Sequence, residues 1–222
     1  KCANRTWSLN PQTGLVDVDL DFNCTGQGLS DFKGIKFGVV NRSFFCPRNS
    51  LTSLIGAPQR VGGDLYCNEN ALTSLEGAPQ RVGMSLNCNN NSLTSLMGAP
   101  REVGGSFYCH TNLLTSLEGA PQRVGGDFTC TNNLLTSLEG APKSVFRDFG
   151  CHGNPVSEKT LKAIFTKMQK GTSYLAAVES LWSKIPQDDQ VLLYADDFKW
   201  VSPEQGRGLV ALRAYQALRG ML

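Results

Sequence analysis

Residues 65–85 read LYCNENALTSLEGAPQRVGMS, residues 86–106 read LNCNNNSLTSLMGAPREVGGS, and residues 107–127 read FYCHTNLLTSLEGAPQRVGGD. The three stretches align without a gap at a period of 21. The eight cysteines carry the period through the chain: they stand at 2, 24, 46, 67, 88, 109, 130 and 151. A disulfide framework has no reason to be periodic, whereas a fixed step of 20 to 30 residues is the mark of stacked repeats with each Cys in the same structural slot. Other positions keep the same step. Leu-Thr-Ser-Leu recurs at 51–54, 72–75, 93–96, 114–117 and 135–138, and Gly-Ala-Pro at 56–58, 77–79, 98–100, 119–121 and 140–142. Asn follows Cys by three residues at Asn49, Asn70, Asn91, Asn112, Asn133 and Asn154.

Each part of the unit has a physical reading. Phe or Leu two residues before Cys puts both side chains on one face of a short strand. Asn turns the chain and bonds nearby backbone. Leu-x-x-Leu packs the return path inward, and Gly-Ala-Pro breaks any helix. A unit buries about five apolar side chains at ~1.5–3 kcal/mol each. Ordering its backbone costs ~1–2 kcal/mol per residue. One unit cannot fold alone, so stacking is obligatory. Adjacent cysteines then lie one strand spacing apart, ~4.8 Å, with parallel Cβ vectors that suit a disulfide poorly. Buried free thiols are expected, and with them a reducing, cytoplasmic compartment.

The unit Φ-x-Cys-x-x-Asn-x-Leu-x-x-Leu-x-Gly-Ala-Pro resembles the leucine-rich repeat, with Cys in the second apolar slot. Its Leu-Thr-Ser-Leu turn followed by Pro is similar to the short subtype of bacterial effectors. The wording Leu-Thr-Ser-Leu-Glu-Gly-Ala-Pro with Gly-Gly-Asp-Phe-x-Cys resembles repeat proteins encoded by tailed bacteriophages. The resemblance implies an α+β fold: a right-handed leucine-rich-repeat solenoid with a parallel β-sheet on its concave face. Some effectors of this type carry a ubiquitin-ligase domain with a catalytic Cys; here no cysteine follows Cys151, so that activity is not carried over.

Three segments are expected: an N-terminal cap and first strand over residues 1–24, repeats over 25–156, and a C-terminal helical cap or interaction segment over 157–222. Val16, Val18, Leu20, Phe22 and Cys24 alternate with three Asp, which predicts one strand with a soluble outer face guarding the edge. Residues 1–15, with Trp7, are expected to cover the open core. Residues 25–45 read as a degenerate repeat in which Leu29, Phe32 and Val39 keep the apolar register. Beyond Pro155 a 3.6-residue period begins. Ser157 is a predicted N-cap, and Ser202-Pro203-Glu204-Gln205 a capping box with Pro in the first turn.

Candidate function lies in the positions that vary while the inward ones stay constant. The column between Φ and Cys holds Asn23, Phe45, Tyr66, Asn87, Tyr108, Thr129 and Gly150. The column after Cys holds Thr25, Pro47, Asn68, Asn89, His110, Thr131 and His152. The column before Φ holds Asp21, Ser43, Asp64, Ser85, Ser106, Asp127 and Asp148. Aromatic side chains beside polar groups are typical interface anchors. Phe45, Tyr66, Asn68, Asn87, Tyr108, His110, Asp127 and His152 are therefore the candidate partner-binding residues. His110 and His152, two repeats or ~10 Å apart, are too distant to share a zinc ion. A ladder of cysteines in one line does not converge on a tetrahedral point. No metal, cofactor or catalytic residue is assigned, and Tyr194-Ala195-Asp196-Asp197 matches a polymerase string too short to weigh.

The expected activity is non-enzymatic protein binding. If the bacteriophage resemblance holds, the partner is a bacterial host protein, a defence component that the chain would inhibit. A small-ligand or nucleotide binder using Tyr66, Tyr108 and His110 is the alternative. A net charge of +2 does not suggest nucleic acid. Arg60, Arg81, Arg101, Arg123 and Lys143 are expected to line one edge, with Glu76, Glu118 and Glu139 solvating them from a neighbouring row. No apolar run approaches the ~18–20 residues of a membrane span.

Overall fold

A computed structural model describes residues 7–136, 140–151 and 153–155. Within them the chain is a β-solenoid of parallel coils, and each coil contributes to two sheets. After an N-terminal hairpin, β1 (Trp7–Leu9) with β2 (Val16–Val18), come β3 (Phe22–Asn23), β4 (Phe37–Val40) and β5 (Phe44–Phe45). The regular coils follow as pairs: β6 (Arg60–Val61) with β7 (Leu65–Tyr66), β8 (Arg81–Val82) with β9 (Leu86–Asn87), and β10 (Glu102–Val103) with β11 (Phe107–Tyr108). The last are β12 (Arg123–Val124) with β13 (Phe128–Thr129), and β14 (Ser144–Val145) with β15 (Phe149–Gly150). One sheet runs β1-β2-β4-β6-β8-β10-β12-β14, the other β15-β13-β11-β9-β7-β5-β3.

The single sheet expected from the resemblance is therefore one of two. The extra sheet is built in the regular coils by Arg-Val at 60–61, 81–82 and 123–124 and by Glu102-Val103, whose Val61, Val82, Val103 and Val124 are buried while the preceding residue faces out. A corner of two or three residues, Gly62-Gly63-Asp64 in the first regular coil, swings the chain from one sheet to the other. At Gly83, Gly104 and Gly125 an added Cβ would overlap the carbonyl oxygen of the corner glycine one coil earlier. No larger residue allows that approach.

The rest of the coil is closed by three devices. The Asn ladder is the first. Asn112 donates its amide to the carbonyls of Cys88, Cys109 and His110 and accepts the N–H of Leu93. The same set recurs at Asn70, Asn91 and Asn133. The second is the turn at Gly-Ala-Pro: Ala57 and Ala78 donate to Leu54 and Leu75 at 2.9 Å. Gly56 and Gly77 supply the positive φ (93° and 84°) that the third position of such a turn demands. The third is the column before the inward Phe or Leu. Ser43, Asp64, Ser85, Ser106, Asp127 and Asp148 each donate a backbone N–H to the side chain one coil earlier, at 2.8–3.2 Å.

Phe44, Leu65, Leu86, Phe107 and Phe128, the paired leucines, and cysteines 46 to 151 form one continuous core at 0% exposure. Cys24, Cys46, Cys67, Cys88, Cys109, Cys130 and Cys151 are free thiols. Sγ of Cys67, Cys88 and Cys130 donates to the carbonyl of Asn87, Tyr108 and Gly150 in the next coil, at 3.4–3.5 Å. Burial pushes the Cys67 thiol up to about 12, and those of Cys46, Cys88, Cys109 and Cys130 well above their ordinary value.

Several expectations at the front are corrected. The segment from Val16 to Cys24 is two strands, not one, because the corner falls at residues 19–21 and leaves Leu20 half-buried. Its aspartates are not merely a soluble face: Asp17 accepts the N–H of Val39 and Asp21 that of Ser43, so they bind the next coil. Val40, at 0% exposure, takes the inward slot expected of Val39, since the 22-residue coil is absorbed by a register shift between Val16 and Val18. β1 runs antiparallel to β2. It covers the sheet edge at the front of the parallel array. Trp7 stays 58% exposed at the rim of an open apolar cavity of ≈ 480 Å³, lined also by Val18, Phe22, Leu29, Phe32 and Phe37. Cys2, Glu139, His152 and the segment over 157–222 that the sequence predicts to be helical lie outside the described residues. Among the described residues there is no helix.

Candidate functional site

In the seven-stranded sheet each two-residue strand gives its first side chain to the core and its second to solvent. Parallel pairing without slippage sets Phe45 beside Tyr66, Tyr66 beside Asn87, Asn87 beside Tyr108, and Tyr108 beside Thr129. All five are half-buried. The Phe45 and Tyr66 rings meet edge-to-face at 5.3 Å. Tyr108 stands two coils from Tyr66, with Asn87 between them. The Tyr66 phenol is held above its ordinary range, first by partial burial, then by the Asp64 carboxylate and by Tyr108.

The next column lies alongside. Asn68 donates to Glu69 at 3.1 Å, while its Oδ1 is buried without a partner. Asn89 donates its amide to His110 Nε2 at 2.7 Å, an orientation fixed by Asn90 donating to Asn89 Oδ1. His110 Nε2 is then the acceptor, and Nδ1 carries the proton toward Thr111 Oγ1 at 3.3 Å. This pairing suits a neutral imidazole, held rigidly at the rim of the aromatic column.

The structure thus brings Phe45, Tyr66, Asn68, Asn87, Tyr108 and His110 onto one continuous face. Asp127 differs from them: its Oδ1 accepts the N–H of Asp148 and its own N–H goes to Ser106 Oγ, so it belongs to the ladder that joins coils. His152 is outside the described residues. The face offers flat aromatic surface beside amide donors and acceptors on a sheet whose strands bond coil to coil through their backbones. That equips it to hold a partner by shape and hydrogen bonds.

The outward side of the eight-stranded sheet gave no separate signal in the cysteine period, yet Arg-Val at 60–61, 81–82 and 123–124 alternates out and in and could have marked it. Its outward row reads Arg60, Arg81, Glu102, Arg123, Ser144. Arg101 and Lys143 sit in the adjoining row with Gln59, Gln80 and Gln122. The expected single stripe is thus two rows, one interrupted by Glu102. Among the described residues the one ion pair here is Arg123 with Glu102, at 3.4 Å; neither Glu76 nor Glu118 pairs with an arginine.

No protein-family model, curated protein or solved structure matches the chain significantly.

Proposed function

We propose that the chain is a non-enzymatic binding module of the leucine-rich-repeat type, and that the aromatic face of its seven-stranded sheet holds a protein partner. The observation that carries this reading is a division of labour along each coil. The Asn ladder, the Asp/Ser ladder, the turn and the core hold coil to coil. Phe45, Tyr66 and Tyr108 are left facing solvent on a rigid backbone, and pre-ordered aromatics of this kind lose little entropy on binding. The repeat wording supports a finer reading: a bacteriophage-encoded factor acting in the reducing cytoplasm of a bacterial host on a host defence protein.

The test is the Tyr66→Ala/Tyr108→Ala double variant. Its urea midpoint should stay near wild type, since surface substitutions shift stability by about 0.5 kcal/mol or less. Capture of the partner from host lysate should be lost, since hot-spot aromatics are each worth about 2 kcal/mol or more. Retained capture would move the binding surface elsewhere. Calorimetry with nucleotides and small-molecule extracts tests the alternative: a small ligand lost with the same two tyrosines would make this face a small-ligand site.

A further inference from the structure

The outer face of the eight-stranded sheet is chemically the opposite of the aromatic one. Arg60, Arg81, Arg101, Arg123 and Lys143 are all exposed on it; among the described residues the acids of its rows are Glu102 and, at the N-terminal end, the half-buried Asp17, whose carboxylate already accepts the Val39 N–H. Arg42 and Arg147 add exposed cations at the two ends of the adjoining corner row. The overall charge of +2 does not reveal this segregation, because acids elsewhere in the chain, Asp21, Asp64, Asp127 and Asp148 of the Asp/Ser ladder among them, offset the cations in the sum.

The register sets Arg60 directly opposite Arg81. Like charges in that position repel, and no carboxylate separates them. A fold that places cations side by side without internal partners is relieved by an external polyanion. The one pair here among the described residues, Arg123 with Glu102, has both side chains more than half exposed (74% and 57%) and is weak in water. The shape agrees. Gly62, Gly83, Gly104 and Gly125 run beside the arginine row, so no side chain there holds a ligand off the guanidinium groups. A shallow groove of ≈ 750 Å³ follows Arg81, Arg101 and Arg123 and ends at Phe146, which is 81% exposed.

From these observations we infer that this face binds the phosphate backbone of a nucleic-acid duplex without reading its sequence. The rows span four coil spacings from Arg60 to the coil of Lys143, ~19 Å. Along the axis of a duplex that length carries about eleven phosphates, counted over both strands at one per ~1.7 Å, and the face meets those on its own side. Among the described residues the one exposed ring on this face is Phe146 at its end; no row of aromatics runs beside the cations for successive unpaired bases to stack on, and no strand or helix projects from the face to enter a groove. It also lacks the buried aromatic or aliphatic anchors that a protein interface needs at its centre. What remains is the chemistry of phosphate contact, which sets affinity and not sequence.

The experiment is fluorescence anisotropy of the full chain with labelled short DNA duplexes of two unrelated sequences, from low to physiological salt. The expected result is equal binding of both, weakening linearly in log–log form with salt. The Arg81→Ala/Arg123→Ala variant should bind at least ~10-fold more weakly at low salt, with its salt slope smaller by about 2. Its melting temperature should not fall, since the lost groups are exposed. Tyr66→Ala/Tyr108→Ala should bind duplex as wild type does, which separates this surface from the protein-binding one. Absence of duplex binding at low salt would overturn the inference. An unchanged slope in the arginine variant would also overturn it, by placing the responsible cations elsewhere. So would binding to phosphatidylserine vesicles, sensitive to the same two arginines, by a protein that ignores duplex.

Discussion

Two residues after each cysteine the backbone is left-handed. Gly26 and Gly153 fill that slot in the first and last coils of the described array, but Arg48, Glu69, Asn90, Thr111 and Asn132 fill it between them, at φ of 50–55°. Thr111 is the costly one, since a β-branched residue there crowds its own carbonyl. Asn relieves part of that strain and already serves in the flanking coils, so Thr111→Asn should stabilise by about 1 kcal/mol, read as a higher urea midpoint at unchanged slope. The ladder residue beside it behaves in the opposite sense. Asn112 is 6% exposed and makes four bonds. Asn112→Ala leaves buried carbonyls and an N–H unpaired and should cost about 3 kcal/mol or more, by the same measurement. Spacing alone exposed the Asn slot; the left-handed one was hidden, because four kinds of non-glycine residue occupy it and none but Asn advertises the conformation.

At the scale of the coil, the decisive element is the corner. Gly104 approaches the Gly83 carbonyl so closely that any Cβ must push two coils apart. Gly104→Ala should therefore lower stability by about 1–3 kcal/mol, as overpacking does, with the loss visible as a lower melting temperature. The corner also explains where the sequence reading stopped short. Φ-x-Cys announces the seven-stranded sheet because both of its apolar residues point inward. In the regular coils of the other sheet a single inward Val stands between an outward residue and Gly, so the strand is marked only by the recurrence of Arg-Val at the repeat period and not by alternation within one coil. The candidate site was legible for Phe45, Tyr66, Asn68, Asn87, Tyr108 and His110, which are the outward members of the sheet that the pattern revealed. Asp127 was not legible as a ladder residue, because an acid in a variable column looks the same whether it faces a ligand or the next coil's N–H.

For the molecule as a whole, the core holds a line of neutral thiols. An unfolded Cys ionises near 9.0, whereas folded Cys67 does so only near 12. Between those values the folded state binds more protons than the unfolded one, so stability falls as pH rises. Stability should be flat with respect to these groups below pH 9 and drop steeply from there toward 12, with five thiols raised in the same direction. Circular dichroism across that range, beside thiolate absorbance, checks it: ionisation should coincide with unfolding. Finally, the joints between coils are interchangeable. From Asn70 to Asn133 each coil grips its neighbour through the same atoms at the same 21-residue offset. A gene encoding such a chain can gain or lose a whole unit by slippage between near-identical copies without creating a new kind of interface. Array length then becomes a heritable variable: each added unit would lengthen both faces by one strand spacing, while an insertion of another size must be absorbed within its own coil, as the register shift between Val16 and Val18 absorbs the 22-residue one.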